Sequence, residues 1–512
     1  MTASRMEPAV ETESQSRNDE APPSNRRPGS ALEERLTPLL NRTVWLWPAL
    51  LTLVLGIRGS WRPQPWRDEF ATWSAATRST GDLLELLQHV DAVSGAYYLL
   101  MNGWVSVFGD SPTMLRLPSA LALTGAAVFV ALTGRRLFGT ASGLIAGLLF
   151  AVLPTVSRYS QEARSYAFVV LAVAAATFFL FRALERPSWQ RWLPYAVSVA
   201  AAGLFHMVSL VFLSSHAVVV AMHWWRDRRK GLLFGFPAAV LVGLVPVIPL
   251  VLLGTEQSKR QIGWLSAPDL NTFVDYWHNM FGSALVSAGV LALAAIPAGW
   301  ARGRRPAFEI GLMAALPILL TWFISQGQTA YFFDRYQLYT VPAWAILAGA
   351  GLGKLKPRFL GVVGLVVVAL LGWPDQEKLR TATAHEHTNG KAAAKVIADG
   401  YQPGDGFAPV RGDKSYAMTD LEIDYYLPDR VELKDVFAAK TALQKDDLFA
   451  DPCPQPASCL NGVNRVWVVT LGEGDDPYAN LPKNEAEALR AAYKVTQVKH
   501  VRGLTVSLSE RK

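Results

Sequence analysis

The chain is short of charge, of cysteine and of nucleotide-binding signatures. Only 18% of its 512 residues are Asp, Glu, Lys or Arg, against 51% hydrophobic, and mean hydropathy is +0.19. That balance excludes a soluble class. The formal net charge of +7 would suggest nucleic acid in a soluble protein, but here the basic residues lie in the connections between apolar runs, which argues against a nucleic-acid partner. No Walker loop, GxGxxG, HExxH, CxxC pair or GxSxG follows a suitable strand. Direct use of a nucleotide is therefore not expected, and a cytoplasmic nucleotide-sugar domain is missing. The only two cysteines, Cys453 and Cys459, have five residues between them. A disulfide there fits an oxidising compartment; two free thiols in a loop are the alternative.

What the chain has is apolar runs of the length that crosses about 30 Å of hydrocarbon. The expected spans are 43–57, 113–134, 140–156, 165–183, 193–206, 208–223, 232–253, 283–301, 308–325, 337–353 and 359–373. Arg135-Arg136, Arg182 to Arg191, Arg226 to Lys230, Arg302 to Arg305 and Lys354 to Arg358 fall on every second side. The tail, with Arg26, Arg27, Arg35 and Arg42, falls on that side too. Positive charge marks the cytoplasmic face. About eleven crossings then place the region from 374 outside. One long helix in place of the tandem 193–223 would reverse everything after it, but the later basic loops support two.

Residues 1–42 read as a disordered cytoplasmic tail, rich in Ser, Glu, Pro and Arg without hydrophobic period. Segment 43–57 reads as an uncleaved anchor. Residues 374–512 read as a small α/β domain outside the membrane, with helices at 392–398 and 484–493 and strands at 464–470 and 504–508.

Candidate site residues gather in the outer loops 58–112, 157–164, 254–282 and 326–336. Asp68 and Glu69 are adjacent carboxylates just past the first span, where desolvation is costly and acidic groups are more often functional than decorative. The same loop carries two apolar stretches at helical spacing, Gly81 to Leu87 and Tyr97 to Phe108, which suit helices lying at the interface. In the second loop, Glu162 stands four residues from both Arg158 and Tyr166, so a helix would bring them together; a plain helix-end ion pair is the bland reading. His206 falls at the outer face, where a satisfied interfacial histidine competes with a ligand role. Lys259-Arg260 and Arg335 are basic residues on the side that should be poor in them. A phosphate at the interface explains such residues; a solvated loop, or an ion pair with Asp334, is the alternative.

The order of these elements resembles a known family. Asp68-Glu69 is followed by Phe108-Gly109-Asp110-Ser111 and Arg116-Leu117-Pro118-Ser119. Arg135-Arg136-Leu137-Phe138-Gly139, Tyr159-Ser160-Gln161-Glu162-Ala163-Arg164-Ser165-Tyr166 and Asp334-Arg335-Tyr336 come later. Over about 40–373 the chain resembles the GT-C superfamily of membrane glycosyltransferases, in its bacterial branch related to protein O-mannosyltransferases, glycosyltransferase family 39. The resemblance implies an enzyme that moves a sugar from a polyprenyl-phosphate carrier to an acceptor outside the cytoplasm, inverting the anomeric carbon. Asp68 matches the catalytic aspartate and Glu69 its acidic neighbour, which would orient the acceptor or hold metal. Glu162 and Arg164 match a second-loop cluster near the cavity, and Tyr166, in the same loop, is a further substrate-binding candidate. Arg335, beside Tyr336, matches a position for the lipid phosphate, with Lys259 and Arg260 as further cations and His206 nearby. Some relatives use a divalent metal, for which the sequence shows no complete ligand set. Mannose is the family default, and a pentose such as arabinose stays open. Protein Ser/Thr, a glycolipid and a cell-wall glycan are all open as acceptors. The competing expectation is a transporter or flippase of a lipid-linked sugar precursor. That class should carry paired, Gly/Pro-broken spans and a polar midplane, whereas the ionisable groups here gather at one face.

Overall fold

The computed structural model describes residues 41–300, 303–385, 387–412 and 417–512, without the side chains of 258–262. The expected tail therefore lies almost wholly outside the described residues. Val44–Lys512 form one compact unit.

Each of the expected apolar segments is helical over most of its length. Among the described residues, six helices are long and apolar enough to cross a membrane, or up to eight if each of two bent pairs is one span. Leu46–Ile57, Trp189–Phe205 and Val341–Gly353 are shorter, at 12, 17 and 13 residues. The chain is thus a polytopic helical membrane protein with a sheet-containing C-terminal region.

Two local features carry the site. Thr140–Val152 and Pro154–Ser160 meet at 61°, because Leu153 before the proline is held extended. The bend aims the chain after Ser160 across the end of the bundle. The tandem at 193–223 is a hairpin, Trp189–Phe205 and Phe212–Asp227, turning at His206. Its two far ends return to one place: Arg191 lies 4.0 Å from the Glu185 carboxylate, and Arg229 Nη1 donates to the Glu185 carbonyl at 2.9 Å. Arg136 pairs with the same carboxylate, so these basic connections share one end of the bundle.

The bundle core is built on small residues. Gly143 abuts the backbone of Ala131 and Arg135, and Gly349 abuts Ala146, so that a methyl group at either would collide with backbone. This close approach suits helices in lipid, where packing rather than apolar burial drives association. Phe234, Leu241 and Val245 stay exposed, the face a lipid-facing helix presents.

In the C-terminal region, β1 (Gly406–Pro409), β2 (Lys434–Asp435), β3 (Arg465–Leu471), β4 (Tyr493–Val501) and β5 (Leu504–Arg511) form one sheet in the order β2-β1-β3-β5-β4. β1 runs parallel to β2 and β3; β5 runs antiparallel to β3 and β4. The helices Gly390–Gly400 and Lys483–Ala492 flank it. The expected helix 484–493 ends one residue early, and Tyr493 opens β4, which the sequence reading missed. Most of β4 is exposed, and its Lys494, Gln497, Lys499 and His500 hide the apolar alternation of a strand. Cys453 and Cys459 are joined as a disulfide.

Candidate active site

The helix Arg67–Ala76 follows an extended Trp66 and carries Asp68 and Glu69 in its first turn, where carboxylates face the positive end of the helix dipole. Adjacent positions on a helix point about 100° apart, and the two acids meet different surroundings.

Asp68 lines a cavity of about 350 Å³. Its Oδ2 accepts a hydrogen bond from Arg335 Nη1 at 3.2 Å. The Arg335 guanidinium also lies over the rings of Phe333, Trp66 and Tyr166, at 4.7, 5.5 and 5.8 Å, while its Nε is buried without a hydrogen-bond partner. Arg164 enters from the second loop: its Nη1 donates to the Tyr98 hydroxyl at 3.0 Å and lies 3.9 Å from Asp91. Tyr98 in turn donates to Asp91. The rings of Tyr336 and His206 lie 4.5 Å apart, tilted by 42°, and both border the cavity with Tyr166. His206 Nδ1 has no hydrogen-bond partner. Met418, Leu448 and Phe449 of the C-terminal region complete the wall. Leu448 and Phe449 pack into the same apolar cluster as Ala71, Tyr97 and Tyr98.

Glu69 points into packed protein. Its carboxylate takes both prongs of Arg116, Nε at 2.8 Å and Nη2 at 2.7 Å, and both side chains are 1% exposed. Arg116 Nη1 donates further to the carbonyls of Ser60 and Pro63. Glu69 Oε1 also accepts the Ala163 N–H, while Thr72 donates to the Ala163 carbonyl, both at 2.9 Å. His385, between the last membrane helix and the sheet, approaches at 3.5 Å. Burial alone would raise the Glu69 carboxyl, but Arg116 outweighs it and holds the group well below the usual carboxylate range.

The helix thus grips the second loop by the backbone of one residue, and that grip sets where Arg164 projects. Glu162 is buried behind it, 3.2 Å from Arg158, and neither carboxylate oxygen has a hydrogen-bond partner. Burial pushes its carboxyl up to about 7 against the pull of Arg158 and Arg335.

The description "Dolichyl-phosphate-mannose-protein mannosyltransferase" belongs to the family whose model matches residues 96–252. No curated protein matches the sequence significantly. ArnT from Cupriavidus metallidurans in the apo state superimposes at a TM-score of 0.61 with 16% identity, over 94% of this chain and 98% of that one. The same protein bound to undecaprenyl phosphate gives 0.61 and 16%, over 91% and 97%. This chain has the fold of ArnT.

Within this fold, Asp68, Arg164, Tyr166, His206, Arg335 and Tyr336 come together around one cavity. Glu69 and Glu162 do not border it. The expectation that Glu69 orients acceptor or holds metal gives way to an internal role, because its carboxylate is taken up by Arg116 and Ala163. Glu162 lies behind the cavity wall rather than in it. The Arg335–Asp334 pair weighed above is replaced by Arg335–Asp68. Lys259 and Arg260 have backbone in the helix Ile248–Ile262, but their side chains lie outside the described residues. The matched stretch 96–252 includes Arg164, Tyr166 and His206 and stops short of Arg335; Asp68 precedes it. Among the described residues no three His, Cys, Asp or Glu side chains are grouped to hold a metal ion. Asp68 meets guanidinium rather than other ligands, so the residues present do not fit a divalent metal.

The sequence reading missed Asp91, Tyr98, His385, Leu448 and Phe449, and gave Arg116 no role. Arg116 had a signal of its own: it is a charge inside an apolar helix, Pro112–Phe138, and such charges need a partner.

Proposed function

We propose that this chain is an inverting glycosyltransferase that moves a sugar from a polyprenyl-phosphate carrier to an acceptor hydroxyl, with Asp68 as general base. The observation that carries this reading is the pairing of the cavity carboxylate with Arg335, beside Arg164. The reaction needs a base for one proton and positive charge for one leaving phosphate. In the resting site the two halves hold each other. When donor enters, its phosphate takes over the Arg335 guanidinium and the unpartnered Nε, and Asp68 is released to face the acceptor. The acceptor oxygen then attacks the anomeric carbon as its proton passes to Asp68. The bond from that carbon to the phosphate oxygen breaks, and the carrier leaves as an already stable anion needing no acid. One displacement inverts the centre.

Undecaprenyl phosphate in the similarly folded ArnT supports the carrier class, and the matched family description supports mannose as the sugar and protein as acceptor, with glycolipid and cell-wall glycan as the other acceptors. Six spans, two bent pairs each counted as one more, and three shorter helices suit eleven crossings. The shared end of the basic connections suits a cytoplasmic N-terminus, with cavity and C-terminal sheet outside.

The test is release of polyprenyl phosphate from a labelled polyprenyl-phosphate sugar, with native membranes as acceptor source. Wild-type chain should release carrier and label an acceptor, and Asp68→Asn should do neither. Equal release by both removes Asp68 from the mechanism. Movement of intact donor across the bilayer without release would favour the flippase reading.

A further inference from the structure

A second cleft, of about 480 Å³, lies between the Asp68 helix and the C-terminal region, within the range small ligands fill. Its membrane-side wall includes Trp73, Ser74, Thr77 and Arg78. Trp73 follows Asp68 by five positions, hence about 140° around the helix and about 7.5 Å along it. One helix therefore serves the catalytic cavity on one side and this cleft on another.

The opposite wall carries Asp420 and Asp424, from the short helix Thr419–Asp424. Asp424 is exposed and Asp420 Oδ1 is buried with no hydrogen-bond partner. Arg78 is only 8% exposed; its Nη2 donates to the Asp447 carbonyl at 2.5 Å, but its Nη1 has no partner. Buried polar atoms left without a partner are costly, and here two of them belong to residues that line the cleft.

We propose that this cleft binds a neutral oligosaccharide, the sugar-bearing part of an acceptor. The Asp420 and Asp424 carboxylates accept from vicinal hydroxyls, the Ser74 hydroxyl and Arg78 answer the remaining ring oxygens, the Thr77 hydroxyl, already donating to the Trp73 carbonyl, accepts, and the half-buried Trp73 indole offers an apolar face to C–H groups. The two unpaired acids oppose an anionic glycan. The choice of ligand class rests on the transferase reading above, and the binding itself does not.

Saturation-transfer NMR on the full-length chain, in a detergent free of sugar, tests it directly. The probes are mannotetraose, cellotetraose and chitotetraose, with tetragalacturonate and tetralysine as comparisons. At least one neutral tetrasaccharide should bind. The D420N/D424N chain should bind it about tenfold more weakly or worse, the size of one lost charged hydrogen bond. Asp68→Asn should bind it as wild type does. Absence of neutral saccharide binding, equal binding by D420N/D424N, or binding of tetralysine alone would overturn the proposal. If saccharide binding is lost with the acids while no donor is ever turned over, the cleft stands and the transferase reading falls.

Discussion

Asp68 and Glu69 share a helical turn, and the regions on either side of it differ in every respect that governs a carboxylate. On the cavity side the Asp68 carboxylate meets one partner, a single hydrogen bond from Arg335 in a wall of aromatic rings. On the packed side Glu69 meets fixed ones, a two-pronged arginine and a backbone N–H, with 1% exposure. The proposed mechanism has the first side exchange a protein cation for a substrate anion, while the second is closed by packing. On the proposed mechanism, the difference teaches that adjacent acids in this turn divide labour, chemistry to one and geometry to the other.

The comparison breaks most visibly at Asp68. Asp68→Asn should lower transfer about 100- to 10,000-fold, the range for a lost general base, with thermal unfolding in detergent unchanged. Should Glu69→Gln give the same pattern, the division of labour is wrong. The expected result for Glu69→Gln is a stability loss of about 3–5 kcal/mol, because Arg116 is left buried and unpaired. Thermal unfolding would read it, and the double change Glu69→Gln with Arg116→Met should recover part of the loss. Arg335→Gln should raise the KM for donor about tenfold or more, the cost of one charged hydrogen bond, and leave the KM for acceptor alone.

The smallest effect sharpens the packed side. Burial raises the Glu162 carboxyl from 4.5 to about 7, so the folded chain holds this proton where the unfolded chain has lost it. Stability must then fall as pH rises through that window. Glu162→Gln mimics the protonated group, and its unfolding temperature should show less of that fall and exceed wild type at pH above the window. A wild-type unfolding temperature that rises between those pH values would contradict the assignment.

Much of this was legible in the sequence where the signal was local. The membrane helices announced themselves by length and apolar content, and the hairpin at His206 by the basic residues at both its ends. Asp68, Arg164, His206 and Arg335 stood out as charged or polar groups at an apolar boundary. Their meeting did not, because it depends on the bend at Pro154 and on the grip of Glu69 and Thr72 on Ala163. Glu69 was read as part of the chemistry because adjacency of two acids is visible and a distant Arg116 partner is not. Leu448 and Phe449 had no signal, since an apolar pair in an extramembrane loop looks like any other until its cavity is known.

The contact of His385 with Glu69 has a consequence in time. Glu69 is made among the first residues of the membrane part and His385 after the last membrane helix. During synthesis the helix that carries Glu69, and its arginine, wait with one flank uncovered until nearly the whole membrane part has been made. Closure of the packed side is thus among the last events of assembly, and a chain truncated before residue 385 would carry Asp68 on a helix whose inner support was never finished.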